Sequence, residues 1–194
     1  MARRADLADR ALEAALAAAE TVGWDAVRLT DVAETMGVPA SDVLDHYRDK
    51  DALADAWFRR GLRALLADKP DDFADLPPAE RIETCLMAWF DAMAAHREVT
   101  VQMLRGKLNP GHPHHWVPMA FNLSRLIQWL REAARLPAVY GTRRAQFEEI
   151  GLTGLFLATL AVWARDDSDG QARTGEVLRR RLDRADRLLQ RLDP

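Results

Sequence analysis

Wherever this chain carries a hydrophobic pattern long enough to read, the pattern repeats at helical spacing, and no stretch alternates as a half-buried strand does. The first such segment sets Leu7, Ala11, Ala14, Ala15 and Ala18 on one side, and Gly23 ends it. The same reading gives about nine helices, over 4–22, 29–36, 39–47, 50–67, 78–95, 98–108, 117–135, 142–164 and 173–192. Asp49 is placed to cap the fourth and Pro78 to open the fifth. Breaks fall in the Asp- and Pro-rich 68–78, at 109–113, at 137–141 and at the acidic 166–170. The fold class expected is all-α, with a small domain over 1–67 and a larger one over 68–194.

Composition narrows the class. With 194 residues, 48% hydrophobic and 29% charged, the chain has material for a generous core. Arg3, Arg4, Asp6, Asp9 and Arg10 interrupt any leader-like apolar run. The longest apolar stretch, 150–163, is shorter than the roughly 18 residues of a membrane span, so no span is expected. One cysteine, Cys85, rules out an internal disulfide framework; it reads as a small buried apolar residue in a reducing cytoplasm. No catalytic constellation stands out, and no cofactor is expected. His112, His114 and His115 lack a nearby carboxylate or thiolate, so they read as a polar loop and not as a metal site.

Residues 37–50 read Gly-Val-Pro-Ala-Ser-Asp-Val-Leu-Asp-His-Tyr-Arg-Asp-Lys. A short helix, a tight glycine turn and a second short helix make the layout of a helix-turn-helix, whose second helix enters a major groove. Ala18, Gly23-Trp24, Val32-Ala33, Gly37-Val38, His46-Tyr47, Lys50 and Ala52-Leu53 occur in an order that resembles the TetR family of one-component regulators, over about residues 10–58. Gly37 permits the tight turn, and Val32 and Tyr47 are expected to close the small core. The departures are specific. Arg28 stands where the family usually has Thr, Pro39 replaces a capping Ser, and Ser41 a Gly. Asp42 stands at a Thr-like position, Leu44 where a Tyr commonly touches phosphate, and Asp45 at an often basic position. Residues 1–60 hold 8 Lys and Arg against 12 Asp and Glu, the reverse of what counterion release from DNA favours. The residues left to hold DNA are Arg28, Arg48, Lys50 and the Arg3/Arg4 arm at phosphates, Ser41 at a base edge, and His46 in either a charged or a packing role.

The resemblance implies a homodimer formed through the last two long helices. Leu152, Leu155 and Trp163 on one, with Leu178, Leu182, Ala185 and Leu189 on the other, are the interface candidates. The segment 150–163 has almost no polar face, so it should be buried on several sides, and Gly151 and Gly154 allow close approach. The arginines of the final helix (Arg179, Arg180, Arg181, Arg184, Arg187, Arg191) read as a solvated face paired with Asp183 and Asp186. The resemblance also implies a ligand site among the helices of the larger domain. Leu86, Trp89, Phe90 and Met93 would supply one part of its wall. Met103, Phe121, Leu126, Trp129 and Phe156 would supply the rest, and such residues equally serve as plain core. Few charges interrupt the set, so its occupant would be an apolar small molecule or lipid.

A second resemblance lies in the C-terminal half. Tyr140-Gly141-Thr142-Arg143-Arg144, then Leu160, Trp163 and Asp167-Ser168-Asp169, are similar to the TetR-fold lipid-binding accessory proteins of ubiquinone biosynthesis, over about 138–190. The extra amphipathic membrane helix of those proteins has no counterpart before Pro194. Two functions are therefore expected. One is a cytoplasmic dimeric regulator that binds operator DNA and is released when an apolar effector changes the spacing of its two heads. The other is a lipid- or isoprenoid-binding accessory protein that has lost DNA binding.

Overall fold

Caps written in the sequence set the helix boundaries. In this computed structural model the backbone is described for residues 2–108 and 116–192, and the side chains for 6–107 and 116–187. Nine α-helices and no strand occur among them: α1 (Ala2–Val22), α2 (Leu29–Met36), α3 (Ala40–Leu44), α4 (Lys50–Leu66), α5 (Pro78–Ala94), α6 (Arg97–Leu108), α7 (Trp116–Ala133), α8 (Arg143–Trp163) and α9 (Ala172–Leu192). Asp49 accepts the Ala52 amide at 2.7 Å and so caps α4. Thr142 does the same for α8 through the Ala145 amide at 3.2 Å, and Pro78 opens α5 as expected. The helix expected over 39–47 is only five residues long. The chain leaves it at Asp45, and the Tyr47 amide bonds back to the Val43 carbonyl at 2.9 Å.

Contacts divide the chain into two units, Met1–Arg60 with Met93–Trp116, and Gly61–Ala92 with Val117–Pro194. The boundary expected at 67/68 lies N-terminal to α6, yet α6 belongs by contact to the first unit. The reason is a set of long-range polar ties. Gln102 accepts the Trp24 amide at 2.6 Å, and His96 Nδ1 lies 2.6 Å from Glu20 Oε1. Trp57 Nε1 donates to Thr100 Oγ1 at 2.8 Å, and that hydroxyl donates to the His96 carbonyl at 2.8 Å. The small face Ala11, Ala15 and Ala19, flanked by Leu12 and Leu16, is buried and gives the unit its spine.

The second unit is built on rings. Trp89, Phe90, Phe156 and Trp163 are all buried. Trp89 meets Phe90 and Phe156 edge-on with centroids 5.2 and 5.3 Å apart, and Trp163 lies 5.6 Å from Phe90. Gly61 of α4 sits against the Trp89 indole, and a Cβ there would fall 2.7 Å from Nε1 and 2.9 Å from Cδ1. Cys85 is buried as expected, and burial pushes its thiol pKa up. Arg131, also buried, is met by Glu148 at 3.1 Å, Glu149 at 3.3 Å and the Ala138 carbonyl at 2.7 Å. A cation taken from water needs this degree of pairing.

A carboxylate knot turns α8 into α9. Asp166, 1% exposed, accepts from the Ser168 amide at 3.0 Å, the Ser168 hydroxyl at 2.6 Å, and the Thr174 amide and hydroxyl at 2.7 and 2.5 Å. Beside it Gln171, in a left-handed conformation at φ 58, accepts from Trp163 Nε1 and donates to Asp91 at 2.5 Å.

Two consequences can be measured. Desolvation alone would raise the Asp166 pKa, but the bonds from Ser168 and Thr174 outweigh it and hold the carboxyl at about 2. That lies below the roughly 3.9 of an unfolded Asp, so its contribution is present above pH ~4 and is lost as the pH falls toward 2. Asp166→Asn should lower stability by about 2 kcal/mol near neutrality, with the difference from the natural chain closing over that window in urea titrations. Gly61→Ala should destabilise the protein despite the better helix propensity of alanine. Overpacking against a ring held by three others costs about 1–3 kcal/mol, and thermal unfolding will register it.

Candidate nucleic-acid interface

A five-residue helix is too short to persist by itself, so the surroundings of α3 decide whether it can present anything. Gly37, at φ 67, closes α2 in the left-handed region, with its amide on the Glu34 carbonyl and the Val38 amide on Ala33, both at 3.0 Å. Pro39 at the cap makes no side-chain bond. Val32 and Ala33 of α2, Val43 of α3 and Tyr47 beyond it are buried together with the α1 spine. The Tyr47 hydroxyl donates to the Ala8 carbonyl at 3.0 Å and fixes the exit of α3 against α1.

Lys50 has a structural task. Its ammonium donates to the carbonyls of Trp24 and Asp25 at 3.2 and 3.0 Å and lies 5.8 Å from the centroid of the Trp24 ring. The sequence marks this lysine for phosphate, and the fold ties it to the turn that ends α1. Arg48 is well exposed and pairs with its neighbour Asp49 at 2.9 Å. Arg28 is exposed at the start of α2, and Ser41 is exposed with its hydroxyl 3.5 Å from Asp42 Oδ1. His46 is half-buried. The side chains of Arg3 and Arg4 lie outside the described residues. The open face of α3 thus shows Ser41, Leu44 and Asp45, with Asp42 half-buried at its side.

The other sequence candidates sort by burial. Leu86, Trp89, Phe90, Leu126 and Phe156 are buried in the second unit, while Met93 and Met103 are buried in the first. Phe121 and Trp129, expected in the same wall, are 67% and 45% exposed on α7. Leu152, Trp163, Leu178 and Leu182, expected between subunits, are buried inside the single chain, where they bring α8 and α9 together. Leu155 is half-buried, Ala185 is exposed, and Leu189 lies outside the described side chains. The face of α8 that a partner can reach is a different one. Phe147, Ile150 and Leu157 are 74%, 69% and 46% exposed, in line with Gly151, Gly154 and Ala161. A helix apolar all round has two apolar stripes, and spacing alone does not say which one packs at home. On α9, Arg180 pairs with Glu176, and Arg179 reaches Glu83 at 2.8 Å. His112, His114 and His115 lie outside the described residues. No cluster of metal-binding side chains occurs among those described.

The fold is shared with a solved protein. A TetR transcriptional regulator from Nitrosomonas europaea superposes with a TM-score of 0.81 at 36% identity, over 93% of this chain and 98% of that one. The chain belongs to the TetR family. No protein-family model and no curated protein matches it. In this TetR-family head the helix-turn-helix is intact as a fold, while its outward chemistry is acidic. Lys50→Met should lower stability by about 1 kcal/mol in chemical denaturation, because the Trp24 and Asp25 carbonyls lose the ammonium and Trp24 keeps the Val27 amide.

Proposed function

We propose that the protein is a cytoplasmic, homodimeric one-component transcriptional regulator that places α3 in the major groove and responds to an apolar effector. The observation that carries this reading is the combination of a fully closed helix-turn-helix with an apolar stripe left open on α8 in a TetR-family chain. The stripe has open space over Gly151 and Gly154, which permits close helix approach. Burying what remains exposed of Phe147, Ile150 and Leu157 contributes roughly 6–11 kcal/mol for two copies, at about 1.5–3 kcal/mol for each fully buried side chain. Association costs on the order of 4–15 kcal/mol, so α8 supplies much of what a dimer needs, and the neighbouring face of α9 the remainder. The helix is also long and apolar enough to cross a membrane, with 22% of its most apolar window buried. Glu148 and Glu149, engaged with Arg131 in its first turns, favour the packed reading. Ile150→Asp should convert the dimer to monomer in sedimentation; an unchanged mass would overturn the assigned face.

Phosphate contacts come from few groups in this reading. With Lys50 engaged inside the head, Arg28 and Arg48 remain among the described side chains, about four cations per dimer. The expected slope of log K against log salt is therefore about −4 or shallower, apart from any contribution by Arg3 and Arg4. Fragment binding measured across salt tests this, and no binding even at low salt would sink the regulator reading. Asp45→Arg should strengthen binding to all sequences alike, by about tenfold at low salt, because it adds a cation and removes an anion near the backbone.

A lipid- or isoprenoid-binding role is the second reading. It is favoured by Asp42 and Asp45 on the recognition helix and by the exposed Phe121, Trp129, Val139 and Tyr140. Native mass spectrometry of the purified protein separates the two: a co-purifying lipid together with absent DNA binding selects the second.

A further inference from the structure

Ser41, Leu44 and Asp45 stand three and four positions apart and so share one face of α3, while Val43, on the opposite side, is 1% exposed. Leu44 is 61% exposed. Burial of Val43 and Tyr47 closes the head without it. The leucine is nevertheless held on a fixed backbone. The Gly37 turn sets the entry of α3, and the bond from the Tyr47 hydroxyl to the Ala8 carbonyl sets its exit. A large apolar side chain is therefore presented outward at a set position, on the helix that a helix-turn-helix offers to a major groove.

The chemistry open to this face is narrow. None of residues 40–45 is Lys, Arg, Asn or Gln, the side chains that pair bidentately with guanine or adenine. The Ser41 hydroxyl donates or accepts, so it serves either kind of base edge. The Asp45 carboxylate only accepts, and guanine shows only acceptors in the major groove, O6 and N7. Leu44 gains from a groove only where it meets another apolar group and both leave water. In the major groove that group is the C5 methyl of thymine. We infer that Leu44 is the specificity-determining residue of α3 and that it recognises thymine, once in each half-site, by that methyl group. The inference rests on the regulator reading above and gives the operator a chemical class: half-sites told apart by an apolar contact and not by a bidentate hydrogen bond. It also has a corollary. The methyl of 5-methylcytosine sits at the same ring position, so at this point in the site the protein distinguishes methylated from unmethylated cytosine.

The experiment uses the full-length protein and duplexes selected by it from a random pool at low salt. Single thymines of a selected duplex are then replaced by uracil, which pairs identically and lacks the methyl group. One thymine per half-site should respond. Its replacement should weaken binding about fourfold, and roughly fifteenfold in both half-sites together, the factor for one methyl-sized group removed from water. At the same position 5-methylcytosine should bind about fourfold better than cytosine. Leu44→Ser should bind the thymine and uracil duplexes equally, and it should unfold at the midpoint of the natural chain, because the side chain lies outside the core. Equal binding of the two duplexes by the natural protein overturns the inference and leaves the regulator reading standing. A preference for thymine that survives in Leu44→Ser does the same. If no duplex is selected even at low salt, the regulator reading fails and the inference fails with it.

Discussion

The short α3 depends on what grips it, and that grip is the constraint on which the rest of the head is built. Five residues cannot fix their own helix. Val43 and Tyr47 do it by burial, and the Tyr47 hydroxyl does it by reaching the Ala8 carbonyl across α1. The face of α1 that receives them is made of alanines, which lets the small helices come close. Lys50 then ties the start of α4 to the turn after α1 through two carbonyls. The orientation of α3 is thereby set by residues that do not themselves face outward.

This division explains why the fold was easy to read and the site was not. Helical spacing, Gly37, Asp49 and Pro78 place nearly every boundary within a few residues, because caps and breakers act on their immediate neighbours. The extent of α3 was the exception, since the turn of the Tyr47 ring into the core ends it early. The task of Lys50 was hidden for a different reason: its partners, the carbonyls of Trp24 and Asp25, are backbone atoms that residue types do not announce. Which apolar face of α8 packs at home was also illegible. Leu152 and Phe147 differ by five positions on a helix with almost no polar residues, and only the arrival of α9 makes one of them interior.

The two units use different means to tolerate polar groups. In the first, ties such as Trp57 to Thr100 and His96 to Glu20 stitch helices distant in sequence. In the second, Arg131 and Asp166 are buried charges held by dense sets of partners, while Trp89 is left unmatched. A core that satisfies two buried ions and neglects one neutral donor is selective about where it accepts a penalty.

The open stripe on α8 has a consequence for how the protein behaves as a substance. If two copies meet on Phe147, Ile150 and Leu157, part of the energy that holds each chain folded comes from its partner. Stability is then a property of the solution as well as of the sequence, since dilution shifts the balance toward unpaired chains by mass action. A melting temperature for such a molecule has meaning only when the protein concentration is stated beside it.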